Sequence, residues 1–266
     1  LCNEYGLDTI TAGSTIAFAM ECYEKGILTR EQTGGLALSF GDGELVVSLI
    51  DKIAKRGGIG DLLAEGSRVM SQKLGQGSAH FAMHVKGLEL PAYDPRGSTG
   101  MALAYATSDR GGCHLRSWPI GDELLATEGR MDLVSLEFKA ELVKTQQDLF
   151  GMVNCSGMCL FATFAVNLKQ ITPFLQTVTG LDVYSSSEEV MKVGERVNNL
   201  VRLFNIREGL TRDLDTLPKR FFSEPLEEGP SRGRVVRLDQ LMDEYYMVRG
   251  WDVSGVPEED KLIELG

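Results

Sequence analysis

The chain is short of basic charge and of histidine, and it has no long apolar run. Its 27 lysines and arginines stand against 38 aspartates and glutamates, a net charge of −11. That balance argues against nucleic acid or an anionic membrane as a partner. No apolar stretch approaches the roughly 18–20 residues needed to cross a bilayer, and no signal peptide is visible. Strand-type alternation is scarce, and no solenoid repeat recurs. Five irregularly spaced cysteines (Cys2, Cys22, Cys113, Cys155 and Cys159) do not make a disulfide framework, so a reducing cytoplasm is expected. Leu1 is not a methionine, and the first residues read as the middle of an element. A piece of a longer protein is therefore expected.

What remains is helical periodicity. Ser14 and Thr15 are candidate N-caps for a helix with Ile16, Ala19, Met20 and Tyr23 on one stripe, and Gly26 suits its end. A second helix is expected over 43–56, with Leu45, Leu49 and Ile53 at four-residue spacing, and a short third over 59–65, ended or interrupted by Gly66. Residues 80–85 read as a strand or an extended connector. Two prolines and a glycine in Pro91–Gly97 exclude helix interior there. Further helices are expected over 99–108, 133–150, 159–170, 186–205 and 237–248, the fourth opened by a Ser185/Glu188 capping box. Gly194 inside it should cost roughly 1 kcal/mol against alanine. The expectation is a mainly α fold of two helical lobes, with a boundary near residue 87 separating 1–87 from 88–266.

Two short segments echo each other, Asn3-Glu4-Tyr5-Gly6-Leu7-Asp8 and Asn154-Cys155-Ser156-Gly157-Met158-Cys159. Each carries an amide, a glycine, an apolar residue and an anionic or metal-binding end, so the pair could grip two halves of one large cofactor. The densest polar cluster is Ser108–Arg116. Its Gly111-Gly112 pair lets backbone approach a ligand, His114 is by residue type a candidate proton carrier, and Arg110 and Arg116 offer forked donors to an anion or planar heterocycle. From composition alone the plainer reading is a glycine turn with a satisfied histidine and solvated arginines. Cys155 and Cys159 match half of an iron–sulfur or zinc pattern, yet small buried thiols are also common. His80 and His84 lack a nearby third ligand, which favours a structural role. Asp94-Pro95-Arg96-Gly97 is a turn whose arginine pairs with its aspartate or points into a site.

Taken together, these segments resemble the tungsten-dependent aldehyde ferredoxin oxidoreductase family. The resemblance runs in order through Tyr5–Ile10, Ala17–Glu24, Lys86–Gly97, Ser108–Gly111 with Cys113-His114, Gly157–Cys159, and Gly250–Asp252 before Gly255–Pro257. It implies the helical second and third domains of that family. It also implies a tungsten or molybdenum bis-pyranopterin beside a 4Fe–4S cluster, with magnesium at the pterin phosphates. Small aldehydes would be oxidised to carboxylic acids, with ferredoxin as electron acceptor and two copies pairing as a homodimer. Carried over, Asn3, Gly6, Leu7 and Asp8 would line one pterin and Asn154, Gly157 and Met158 the other. Arg110 and Arg116 would add basic contacts, Cys159 would be the last of four cluster ligands, and His114 would be the proton carrier near the metal. The chain departs from the family pattern at Asn3 and Asn154, where aspartate is frequent, at Arg116, where some members have lysine, and at Met158, which replaces leucine. An amide still accepts from the pterin amine but loses charge assistance. The resemblance places three cluster cysteines and a β-rich domain upstream, so the isolated chain is expected to be catalytically silent. The alternatives are a related tungsten or molybdenum enzyme with another substrate, or a non-catalytic helical interaction module.

Overall fold

The computed structural model describes residues 1–126, 129 and 131–266. The fold is mainly α. Twelve α-helices are found among the described residues: α1 Cys2–Tyr5, α2 Thr9–Glu24, α3 Gly43–Lys55, α4 Ile59–Leu63, α5 Gly66–Leu74, α6 Thr99–Thr107, α7 Lys139–Cys155, α8 Leu168–Thr179, α9 Ser187–Arg207, α10 Arg220–Ser223, α11 Asp239–Arg249 and α12 Glu259–Leu265. The described strands, β1 His84–Val85 and β2 Leu88–Glu89, form one antiparallel hairpin. No helix among the described residues is long and apolar enough to cross a membrane.

Local chemistry moves several boundaries. Helix α2 begins at Thr9, because the Asp8 carboxylate accepts the N–H groups of Ile10 and Thr11 at 2.9 and 3.3 Å. Ser14 and Thr15, expected as caps, lie inside the helix. The cap of α9 is Ser186, which accepts from Glu189 N–H at 3.2 Å, in place of Ser185. Gly66 does not end helical structure; it opens α5, where the Glu89 carboxylate accepts from the N–H and hydroxyl of Ser67, both at 2.7 Å. The helix expected over 133–150 runs from Lys139 to Cys155, and that over 159–170 divides into a 3₁₀ segment Leu160–Phe164 and α8.

Contacts divide the chain into two compact units. The first comprises Leu1–Arg96, Arg110–Cys113 and Thr216–Val235; the second comprises Gly97–Asp109, His114–Asp215 and Val236–Gly266. The sequence suggested one break near residue 87; the contact division falls after Arg96, and 216–235 joins the first unit.

In the first unit the apolar stripe of α2 (Ile16, Ala19, Met20) packs with Leu45, Leu49 and Ile53 of α3 and with Leu63 and Met70. Segment 216–235 is tied in by charge. Arg220 binds Glu21 (3.0 Å), Glu224 faces His80 (2.7 Å), and Arg96 reaches the Glu224 carbonyl (2.8 Å). Burial would raise the Glu224 carboxyl, but His80 and Arg220 outweigh it and hold it below the usual range. His84 is half-buried on β1, and burial holds its imidazole below the ordinary histidine value. The two histidines thus serve separate structural ends.

In the second unit α6 is buried throughout Gly100–Thr107. Helices α7 and α9 cross where Gly151 meets Gly194: a Cβ on Gly194 would lie 1.7 Å from the Asp148 carbonyl oxygen. Polar groups fill much of this core. Arg249, fully buried, pairs with Asp148 and donates to the Tyr245 hydroxyl (3.0 Å), which donates to Gln147 (2.6 Å). Burial disfavours its charge, but Tyr245 and Asp148 outweigh that and raise the guanidinium pKa. Arg202 similarly binds Asp215 (2.7 Å) and the Gly255 carbonyl (2.8 Å). Lys139 and Glu123 form a second fully buried pair at 2.6 Å.

Candidate functional site

The echo between the two short segments is structural as well as sequential. Helix α1 stops at Gly6, whose left-handed backbone (φ 69°) suits glycine, and Leu7 N–H returns to the Cys2 carbonyl at 2.9 Å. Leu7 packs on the core of the first unit, and Asp8 then caps α2. In the second copy α7 ends at Cys155, and Gly157 (φ 70°) takes the same left-handed turn. Met158 packs on the cluster formed by Met152, Val153, Ile171 and Val190, and Cys159 precedes the 3₁₀ segment. Each copy is therefore a helix, a left-handed glycine, an apolar anchor and the start of the next helix.

One corner belongs to each unit. Asn3, Gly6 and Asp8 are exposed in the first; Asn154, Gly157 and Cys159 are exposed in the second. Among the described residues the side chains of Asn3 and Asn154 form no hydrogen bond, so both amides keep donors and acceptors for a ligand. Asp8 spends one carboxylate oxygen on its cap.

The polar cluster at 108–116 is split. Arg110–Cys113 belongs to the first unit, whereas Asp109, His114 and Arg116 belong to the second. The glycine pair has a packing cause. A Cβ on Gly111 would lie 2.4 Å from the Val85 carbonyl oxygen, and one on Gly112 would lie 2.6 Å from the Leu88 carbonyl oxygen. Gly112 N–H donates to the Val85 carbonyl at 3.2 Å. The pair thus seats the segment on the β1–β2 hairpin, and the close approach is to protein backbone. Arg110 in turn donates to the Cys113 thiol at 2.8 Å.

In the second unit, Arg116 Nε donates to Asp109 Oδ1 at 2.7 Å, and the Asp109 carbonyl accepts from Asn205 of α9 at 2.8 Å. The following turn is fastened to α7, where Gln146 Oε1 accepts from Ser117 Oγ (3.1 Å) and Trp118 N–H (2.7 Å). His114 is half-buried between these anchors in sequence. Asp109, Asn205 and Gln146 are partners that residue type alone did not single out. Asp94 and Arg96, by contrast, close the turn on each other, with Arg96 Nη2 and Asp94 Oδ2 2.6 Å apart.

Among the described residues no three histidine, cysteine, aspartate or glutamate side chains gather where they could hold a metal. Cys155 and Cys159 are exposed free thiols, whereas Cys22 and Cys113 are buried. Burial, helped by Glu21, pushes the Cys22 thiol up to about 12, which marks it as an inert core residue. The described residues therefore offer exposed thiols, free amides and arginine forks, a donor set that fits contacts to a large polar cofactor; among them there is no complete metal site.

A family model described as "Aldehyde ferredoxin oxidoreductase, domains 2 & 3" matches residues 1–266. The tungsten-containing aldehyde ferredoxin oxidoreductases of Pyrococcus horikoshii and Pyrococcus furiosus are each 44% identical to the chain, over 99% and 100% of it and 44% of their own length. The WOR-like subunit of an aliphatic sulfonate oxidoreductase from Pyrococcus furiosus is 30% identical over 100% of the chain and 41% of its own length. Among solved structures, the active-site complex BamBC of benzoyl coenzyme A reductase, in complex with 1,5-dienoyl-CoA, aligns over 100% of this chain and 45% of that one. Its TM-score is 0.77 at 24% identity, a likeness of fold. The chain thus spans less than half the length of the curated relatives it matches. By the match over its whole length, it belongs to the aldehyde ferredoxin oxidoreductase family, in the part described as domains 2 and 3.

Proposed function

We propose that this chain forms part of a tungstopterin oxidoreductase that converts aldehydes and water to carboxylic acids. Asn3, Gly6, Leu7 and Asp8 hold one pyranopterin, and Asn154, Gly157 and Met158 hold the other. In this reading the left-handed glycines bring exposed backbone to the pterin, Leu7 and Met158 anchor each corner to its own core, and the asparagine amides pair with the heterocycle edge. Arg110 and Arg116 supply cationic forks, and Cys159 is one thiolate of four on a 4Fe–4S cluster. When bound, the metal–pterin group would supply two-electron redox chemistry, and the cluster one-electron transfer towards ferredoxin. His114 accepts a proton released from the attacking water and returns it to solvent.

One observation carries the reading: the same corner is built twice, once in each unit, with an exposed asparagine each time and a cysteine closing the second. The 44% identity to tungsten-containing relatives supports it. The cluster's other ligands, magnesium at the pterin phosphates, pairing of two copies and an anaerobic cytoplasm go with it.

The test is anaerobic purification of the protein that carries this chain from cells supplied with tungstate. The expected result is tungsten and iron in the protein, and aldehyde-dependent reduction of ferredoxin. Tungsten-free, iron-free protein of correct fold would leave a helical interaction module. The 266 residues alone should hold neither metal near stoichiometry, since three or more ligands do not gather among the described residues. His114→Ala should lower turnover with little loss of metal; unchanged turnover removes its role. A second reading, the same chemistry on another substrate, is favoured only by the 30% relative named for aliphatic sulfonates. A substrate panel separates the two.

A further inference from the structure

The proposed function needs Arg116 to meet a ligand, and the surroundings of that side chain bear on how it does so. Arg116 makes a single ion pair, from Nε to Asp109 Oδ1 at 2.7 Å. Among the described residues its two terminal amino groups make no hydrogen bond, and its side chain keeps 31% of its exposure. A guanidinium is planar, so a bond at Nε fixes where the terminal fork points. The carboxylate that makes this bond is itself held. Asp109 follows the C-cap of α6, a helix buried from Gly100 to Thr107, and its carbonyl is gripped by Asn205 of α9. Arg116 is followed at once by Ser117 and Trp118, both bound to Gln146. Asp109, Arg116 and Asn205 also border a cavity of about 20 Å³, room for one water or one ligand oxygen.

We propose that Asp109, steadied by Asn205, is a positioning residue that turns the fork of Arg116 outward to receive a planar heterocycle bearing an anionic oxygen. The inference rests on the assignment of Arg116 to the cofactor. An alternative role for Asp109 is a plain counter-charge, and the two roles predict opposite signs. A counter-charge weakens the attraction between Arg116 and an anion, so its removal tightens binding. A positioning carboxylate pre-orients the fork, so its removal loosens binding although a negative charge is lost.

The probe is 6-carboxypterin, whose fluorescence reports binding to the chain directly. Asp109→Asn should weaken binding about tenfold, the scale of one charge-assisted hydrogen bond, and Arg116→Ala should weaken it at least as much. Asp109→Glu should recover most of the loss. On the Arg116→Ala background, Asp109→Asn should change nothing further. Should Asp109→Asn fail to fold, Asn205→Ala serves the same comparison, with weaker binding expected only while Arg116 is present. Unchanged or tighter binding by Asp109→Asn, with Arg116→Ala still weakened, overturns the positioning role alone. A loss that is additive with Arg116→Ala does the same. Full binding by Arg116→Ala, or no binding by the unsubstituted chain, removes the assignment of Arg116 and the inference with it.

Discussion

Replacing Gly194 by alanine sets two effects of the same residue against each other. In an isolated helix the change would stabilise by about 1 kcal/mol, because glycine carries the larger entropic cost. At the α7–α9 crossing the new Cβ would stand 1.7 Å from the Asp148 carbonyl oxygen and 2.6 Å from its carbon. These are backbone atoms, so no side chain can swing away. An ordinary carbon–oxygen contact is about 3.3 Å, so the helices would have to part by roughly 1.6 Å. Overpacking of this kind costs about 1–3 kcal/mol. Parting the helices also pulls on the Asp148 pair with buried Arg249 and on its bond to Asn198. Because the clash is with backbone, the packing loss sits at the top of that range, and a net destabilisation of about 2 kcal/mol is expected after the propensity gain. Both tryptophans, Trp118 and Trp251, lie in the second unit, so intrinsic fluorescence reports its unfolding selectively. At an ordinary denaturant slope the urea midpoint should fall by about 1 M. A midpoint unchanged or raised would refute the crossing at Gly194. Gly13→Ala is the counterpart: it is exposed inside α2 with nothing within 4 Å of the added Cβ, and it should show the propensity gain alone.

Three further outcomes follow from burial. Arg249→Met removes one of the two cations that pair with Asp148, leaving Lys144 at 2.9 Å, and takes a buried donor away from the Tyr245 hydroxyl and Gln147. It should destabilise the second unit by about 3 kcal/mol in the same fluorescence assay; a loss below about 1 would mean the pair is solvated. With a thiol reagent at pH 8, Cys155 and Cys159 should react at once. Cys22, its thiol pushed up to about 12, should react only after denaturant is added, and rapid modification of Cys22 would contradict its packing. Burial lowers the His84 imidazole, so the unfolded chain takes up that proton at higher pH than the folded one. Its contribution to stability is therefore present above the ordinary histidine value near 6.5 and is lost as pH falls from there to the folded value. Thermal melts between pH 8 and 5 should show this fall weakened in His84→Gln, and an identical fall in both proteins would exclude it.

The long helices were legible because their apolar stripes are periodic: Leu45, Leu49 and Ile53 mark α3 on spacing alone, and all three are buried. Helix α5 was missed because its segment, Gly66–Leu74, has only Val69, Met70 and Leu74 as large apolar residues, and its start is stabilised by Glu89, 22 residues away from Ser67. Gly194 looked like a defect, since its helix partner at Asp148 is 46 residues distant and invisible to local pattern. The Gly111-Gly112 pair was read as room for a ligand, whereas the hairpin carbonyls of Val85 and Leu88 occupy that room. The return of 216–235 to the first unit depends on Arg220 finding Glu21, 199 residues back. Motif spacing marked the two corners, and of the polar run 108–116 it could not show that Arg110 folds with the first unit while His114 and Arg116 fold with the second. The Asp109–Asn205 support was hidden, because Asn205 is one polar residue among several on α9.

The most direct test of the paired corners is an anaerobic crystal structure of the protein that carries this chain, with anomalous data at the tungsten and iron edges. The account predicts one pterin against Asn3–Asp8, a second against Asn154–Met158, a tungsten peak between them and an iron atom bonded to Cys159 Sγ. A metal centre that touches neither corner, with the Cys159 thiol free, would contradict it.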